Sequence, residues 1–226
     1  MGSLAHFDVG GLMARYGLVH FVETGTGRGV SLAHASRFGF RTLRSCESVP
    51  ALCRDAQEAF HSDRRVTVYP SNSRDFLDRV CADTPDDEPV LFWLDAHFPG
   101  ADYGLFGYGD EPDEALRLPL PQELEVIKNR RPQGRDVILV DDLRIWTDGP
   151  FSSGNLPANV RPWCPKSRSA DLFARILGAT HTVRFDYADE GYTILTPKLH
   201  LDVRFGGDIG TLPPALYDDR EAFGVE

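Results

Sequence analysis

Asp95, His97, Asp141 and Asp142 are the residues whose types and spacing could do chemistry. Asp95 closes the apolar run Pro89–Leu94, and Asp141-Asp142 closes the run Val137–Val140. His97 stands two residues past Asp95. If both runs are strands of one sheet, the three carboxylates meet at one rim. They repel one another there, and burying them without compensation is costly. A hard divalent cation resolves that conflict, because Mg²⁺ binds through a few carboxylates and keeps waters or substrate oxygens. It would also lower the pKa of a bound hydroxyl. The competing reading makes these acids helix caps, or partners of Arg144, Arg74 or an arginine from a long loop. His97 reads as a general base or a metal ligand, since its unperturbed pKa is about 6.5, or as neither.

A second constellation precedes the first in the chain. The run Val19-His20-Phe21-Val22-Glu23 is followed by Thr24-Gly25-Thr26-Gly27-Arg28-Gly29. A strand feeding such a turn brings backbone close to a ligand, because glycine tolerates positive φ and has no Cβ. A dinucleotide fingerprint reads G-x-G-x-x-G, whereas this turn reads G-x-G-x-G after a glutamate. A pyrophosphate wants bare amides at a helix N-terminus. A carboxylate just before the turn suits a ligand with a cationic part, as in S-adenosylmethionine with its amino group and sulfonium. The structural alternative is a glycine turn for close helix packing.

Two further polar sites fall at the same expected rim. Glu47 ends the second strand and could accept hydrogen bonds from both ribose hydroxyls, or serve as a helix-entry acid. Ser71-Asn72-Ser73-Arg74-Asp75 follows the third strand. It could meet an adenine edge, cap the next helix, or do both. The residues expected to hold the donor are therefore Glu23, Thr24, Gly25, Gly27, Gly29, Glu47, Ser73 and Asp95. Tyr103, Phe106 and Tyr108, among Asp110, Glu111, Asp113 and Glu114, could stack on a sugar-like acceptor or form an acidic surface loop.

The elements that must position these residues alternate. Strands are predicted at Val19–Glu23, Arg41–Cys46, Val66–Tyr69, Pro89–Asp95, Asp136–Val140, Thr180–Asp186 and Tyr192–Thr196. Helices are predicted at Val30–Phe38, Ala51–Phe60, Asp75–Cys81, Pro121–Asn129 and Ala170–Leu177. This is an α/β pattern: a Rossmann-like, doubly wound, mostly parallel seven-stranded sheet ending in a C-terminal antiparallel hairpin. Ligands of such sheets bind beyond the C-terminal strand ends. The stretches 98–120 and 144–168 break the pattern and read as lid-like loops. The tail 199–226 reads as a surface wrap or partner contact.

Bulk properties narrow the class. The 226 residues suffice for one domain, taken as 1–226, with a sizeable core. A net charge of −10 argues against nucleic-acid or anionic-membrane binding. No apolar run approaches the roughly 20 residues of a membrane span. Met1–Gly11 lacks the basic flank and apolar segment of a signal peptide. The four cysteines form no C-x-x-C pair and read as buried free thiols of a cytoplasmic protein.

Assembled, the chain resembles class I S-adenosylmethionine-dependent methyltransferases, especially bacterial and viral enzymes that modify sugars and surface glycans. Phe21-Val22-Glu23-Thr24-Gly25-Thr26, Trp93-Leu94-Asp95-Ala96-His97-Phe98, Leu118-Pro119-Leu120-Pro121-Gln122-Glu123-Leu124 and Ile138-Leu139-Val140-Asp141-Asp142-Leu143-Arg144 carry the resemblance. It implies O-methylation of a sugar or other hydroxyl, with Mg²⁺ on Asp95, Asp141 and Asp142. Asp95, His97 and Asp141 are the residues expected to carry the catalysis. The expected partner is a small-molecule or glycan acceptor; a homo-oligomer stays open. Two other classes remain: a nicotinamide-dependent oxidoreductase on a similar sheet, and a non-catalytic module that binds S-adenosylmethionine.

Overall fold

A computed structural model describes residues 2–198. The expected tail, 199–226, lies outside the described residues. Seven strands form one sheet: β1 (His20–Thr24), β2 (Thr42–Glu47), β3 (Val66–Pro70), β4 (Val90–Leu94), β5 (Val137–Val140), β6 (His181–Asp186) and β7 (Tyr192–Pro197). Their order is β3-β2-β1-β4-β5-β7-β6. The first five pair in parallel; β7 runs antiparallel to both β5 and β6. The mostly parallel sheet and terminal hairpin are as the alternation predicts. The insertion of β7 between β5 and β6 has no counterpart in the sequence pattern.

Seven α-helices accompany the strands among the described residues: α1 (Val9–Tyr16), α2 (Val30–Ala35), α3 (Pro50–Phe60), α4 (Ser73–Ala82), α5 (Glu114–Arg117), α6 (Leu120–Arg130) and α7 (Asp171–Leu177). Both sheet faces are covered, which is why the central strands are apolar throughout instead of alternating. Successive side chains point to opposite faces. Val90, Phe92 and Leu94 enter one core with Ile138, Val140 and the inner faces of α4, α6 and α7. Leu91 and Trp93 enter the other with Val137, Leu139 and α1, α2 and α3. The apolar stretch Val90–Leu94 is fully buried.

Helix α1 is absent from the sequence-based elements. Asp8 caps it by accepting the Gly11 amide at 2.9 Å, and Gly17 ends it at φ +64°. Leu4 and Phe7, just before it, are buried against the Trp93 side of the sheet. The two long loops also carry structure. Arg117, buried, donates to the Glu111 carbonyl and to the Trp163 carbonyl at 3.1 Å, tying the loops together. Arg168 donates to the carbonyls of Ile145 at 2.8 Å and Thr147 at 2.9 Å. The four cysteines are buried and free, as expected. No helix among the described residues is long and apolar enough to cross a membrane.

Candidate active site

Strand register builds the rim. Thr24 pairs with Cys46 and Leu94, and Leu94 pairs with Val140. One residue on, Gly25 N–H donates to the Cys46 carbonyl at 3.0 Å, Asp95 N–H to that of Thr24 at 3.1 Å, and Asp141 N–H to that of Leu94 at 3.0 Å. The glycine turn, Asp95 and Asp141 thus stand side by side at the C-terminal strand ends. A cavity of about 620 Å³ opens there, lined by Gly25, Gly27, Glu47, Ser73, Asp95 and His97 among others. Its size suits a ligand pocket.

The turn is built largely from backbone. Gly25 has φ +80°, and a side chain on it would meet the Asp95 carbonyl at 2.7 Å. Glu47 accepts the amides of Gly27 and Val49, each at 2.8 Å. Its carboxylate therefore shapes the turn and the entry of α3 while lining the cavity. Its place at the entry of α3 fits the helix-entry reading, and its place in the cavity wall is where the ribose reading puts it. Asn72 caps α4 by accepting the Asp75 amide at 2.9 Å, and the same segment lines the cavity.

Three expected donor residues are not among those lining the cavity: Glu23, Thr24 and Gly29. Glu23 lies behind the turn, where Ser45 Oγ donates to it at 2.6 Å. Strand alternation puts it on the face opposite Thr24. Burial pushes its carboxyl up to about 8, against the opposing Ser45 hydrogen bond. Gly29 serves packing: a side chain there would meet the Phe60 ring of α3 at 2.7 Å. Thr24 is fully buried.

The carboxylate rim is organised around His97. Its Nε2 lies 2.8 Å from Asp142 Oδ2 and 3.6 Å from Asp102 Oδ2, and its Nδ1 lies 3.5 Å from Asp95 Oδ1. Arg144 Nε donates to Asp142 Oδ1 at 3.2 Å. Asp142 holds φ +52°, a conformation unfavourable for a residue with a side chain. Asp141 Oδ1 accepts the Asp142 amide at 2.8 Å, while its buried Oδ2 has no hydrogen-bond partner. Gly2 packs directly on the Asp141 carboxylate, leaving no room for a side chain at residue 2.

Charge follows from this packing. Burial lowers the His97 pKa, but Asp142, Asp102 and Asp95 outweigh it and hold the imidazole well above its ordinary range. Burial would raise Asp142, yet His97 and Arg144 hold it low. Burial and the Asp142 charge raise Asp141 to about 8. Burial and the Asp141 charge raise Asp95 well above the usual carboxylate range. His97 and Asp142 thus pair as opposite charges, and burial opposes ionisation of Asp95 and Asp141 beside them.

The expected Mg²⁺ ligands, Asp95, Asp141 and Asp142, share this rim, but their side chains are not gathered in ligating geometry. Among the described residues, no group of three or more His, Cys, Asp or Glu side chains is placed to hold a metal ion. His97 and Arg144 supply the positive charge that the sequence reading assigned to Mg²⁺. The donor chemistry still suits a hard cation, with three carboxylates and the orphaned Asp141 Oδ2.

Sequence reading assigned no role to Glu123. It lies on α6, 1% exposed, with neither oxygen in a hydrogen bond of normal geometry. Burial pushes it up to about 7, opposed by its neighbours Ser73 and Thr24. A signal for it was present: Glu123 is three residues after Leu120 and four before Ile127, on the apolar stripe.

No family model and no curated protein matches the sequence. Solved structures do. A candidate caffeoyl-CoA O-methyltransferase from Staphylococcus aureus superposes with TM-score 0.58 at 16% identity, over 87% of this chain and 84% of that one. An O-methyltransferase from Bacillus cereus, in complex with SAH, gives 0.51 at 15% identity, over 83% and 77%. The O-methyltransferase TomG from Streptomyces achromogenes, involved in tomaymycin synthesis and in complex with SAM, gives 0.50 at 16%, over 82% and 76%. At such identities the likeness establishes the architecture: this chain shares the Rossmann-like fold of those proteins.

Proposed function

We propose that this protein is an S-adenosylmethionine-dependent O-methyltransferase acting on a hydroxyl of a sugar, glycan or glycosylated small molecule. One observation carries the reading: a backbone-built glycine turn and the Asp95–His97 rim line the same cavity. The reaction moves a methyl group from a sulfonium to a hydroxyl oxygen, and the hydroxyl proton must leave. Holding both partners in attack geometry supplies much of the rate gain. Glu47 and the glycine turn hold the donor side. The His97–Asp142 pair takes the acceptor proton once His97 has lost its own, and Asp142 then stabilises the imidazolium that forms.

A sugar-type acceptor is supported by the part of loop 98–120 that lines the cavity. Phe106 offers a flat apolar face, and Asp110, Glu111 and Asp113 offer acceptors for hydroxyl donors. Asp95, Asp141 and Asp142 are the residues that would hold Mg²⁺. When bound there, the ion would supply positive charge that favours the deprotonated acceptor oxygen.

The deciding experiment supplies methyl-labelled S-adenosylmethionine with cell glycans and small hydroxylated metabolites, with Mg²⁺ or with excess chelator. Label in a hydroxyl-bearing acceptor is expected. Full activity in chelator removes the metal from the proposal. Tight donor binding with no transfer to any acceptor returns the protein to a non-catalytic binding module.

A further inference from the structure

Loop 98–120 contains one side chain that reaches back to the donor turn. Tyr103 ends a 3-10 turn, Ala101–Tyr103, bracketed by Gly100 at φ +72° and Gly104 at φ +69°. Its hydroxyl rests directly on Gly27, where any side chain would collide with it. The Arg28 backbone amide lies near that hydroxyl, and the Arg28 guanidinium lies 5.5 Å from the ring centroid. Tyr103 lines the same cavity as Gly25, Gly27 and Asp95.

We propose that Tyr103 is a positioning residue that latches the acceptor loop onto the donor turn, so that donor binding and acceptor-loop ordering are coupled. The proposal rests on the donor reading given above. Three features support it. The phenol oxygen sits against the glycine turn at Gly27, where its proton can serve as a donor. Burial holds the phenol above its ordinary pKa, so it keeps that proton. An aromatic ring on this wall also suits a cationic sulfonium or ammonium.

The contact is transmitted beyond Tyr103. Ala101 N–H donates to the Phe98 carbonyl at 2.9 Å, and Phe98 N–H to the Arg117 carbonyl at 2.8 Å. Arg117 reaches Glu111 and Trp163, so the latch connects the turn to both long loops. Gly27 is consequently required twice, for its φ of +52° and for the space Tyr103 takes.

The test combines calorimetric titration of S-adenosylhomocysteine with amide hydrogen exchange on the full chain and its Y103F and Y103A variants. In the wild type, the ligand is expected to slow exchange across residues 98–117. Y103F is expected to speed Arg28 amide exchange in the ligand-free protein. Y103A is expected to weaken binding roughly tenfold, the loss of about one hydrogen bond and a ring contact, and to abolish ligand protection of the loop. Wild-type binding with Y103A within twofold of it and the loop still protected overturns this proposal alone. A wild type that does not bind the ligand overturns the donor reading and this proposal with it. If Y103A does not fold, Y103F decides, and an unchanged Arg28 amide overturns the latch.

Discussion

The glycine turn and the carboxylate rim share one end of the sheet and are built in opposite ways. The turn uses main-chain amides, and Glu47 accepts two of them. Its positive φ values fall on glycines, where they cost little. The rim uses buried ionisable groups that repel one another, with positive φ at Phe98 and Asp142 and an orphaned oxygen on Asp141. A site that only holds a ligand can be fully satisfied before the ligand arrives. A site that must move a proton keeps groups poised between charge states, and their energetic cost is carried by the surrounding core.

The sharpest way to break this comparison is to remove His97. His97→Ala should lower turnover by about 10²–10⁴-fold, the usual worth of a positioned acid or base, while affinity for S-adenosylhomocysteine stays within twofold. Equal losses in both would show that the halves are not separable. Because Asp142 helps hold the His97 pKa high, the wild-type rate should rise with pH above neutrality. Asp142→Asn should move that limb to lower pH as well as lowering its plateau. A pH–rate profile unmoved in the variant would remove His97 as the titrating base.

Glu23 sharpens the comparison from the donor side. Its carboxyl is raised from 4.5 to about 8 by burial. The folded state therefore binds its proton more tightly than the unfolded state does. That contribution to stability is complete below pH 4.5 and is lost as pH rises through about 8, by on the order of 1 kcal/mol per pH unit. Glu23→Gln should match the wild type in thermal melts near pH 4 and become relatively more stable toward pH 9. A difference independent of pH would mean that Glu23 is not held neutral. A smaller effect is expected at Glu47. Glu47→Ala leaves the Gly27 and Val49 amides without their acceptor, costing about 1–3 kcal/mol in stability, and should weaken donor binding with kcat little changed.

Much of the architecture was legible because its signals are local. Val90–Leu94 and Val137–Val140 announced themselves as buried strands by unbroken apolar character. Gly25, Gly27 and Gly29 marked a turn. Helix α1 was missed because its face is short and holds two glycines, Gly10 and Gly11, and its stability comes from the Asp8 cap and from packing. The site was legible in outline: Asp95, His97 and Asp142 do converge, and Gly25, Gly27, Glu47 and Ser73 line the cavity. A motif gives spacing but not which sheet face a side chain takes: Glu23 points away from the cavity, and Gly29 serves packing against Phe60. Glu123 went unassigned because a lone acid on an apolar stripe gains meaning only from what it packs against.

The sequence by itself determined seven strands, a doubly wound sheet and a rim where the glycine turn meets the strand-end acids. Period and turn chemistry are properties of consecutive residues, and consecutive residues suffice to read them. Only the tertiary structure decided that β7 enters between β5 and β6, that Gly2 covers Asp141, and that His97 and Arg144 compensate the acids. Those outcomes depend on which groups, far apart in the chain, register and burial bring within a few ångströms of each other. Electrostatic energies change most steeply over that distance.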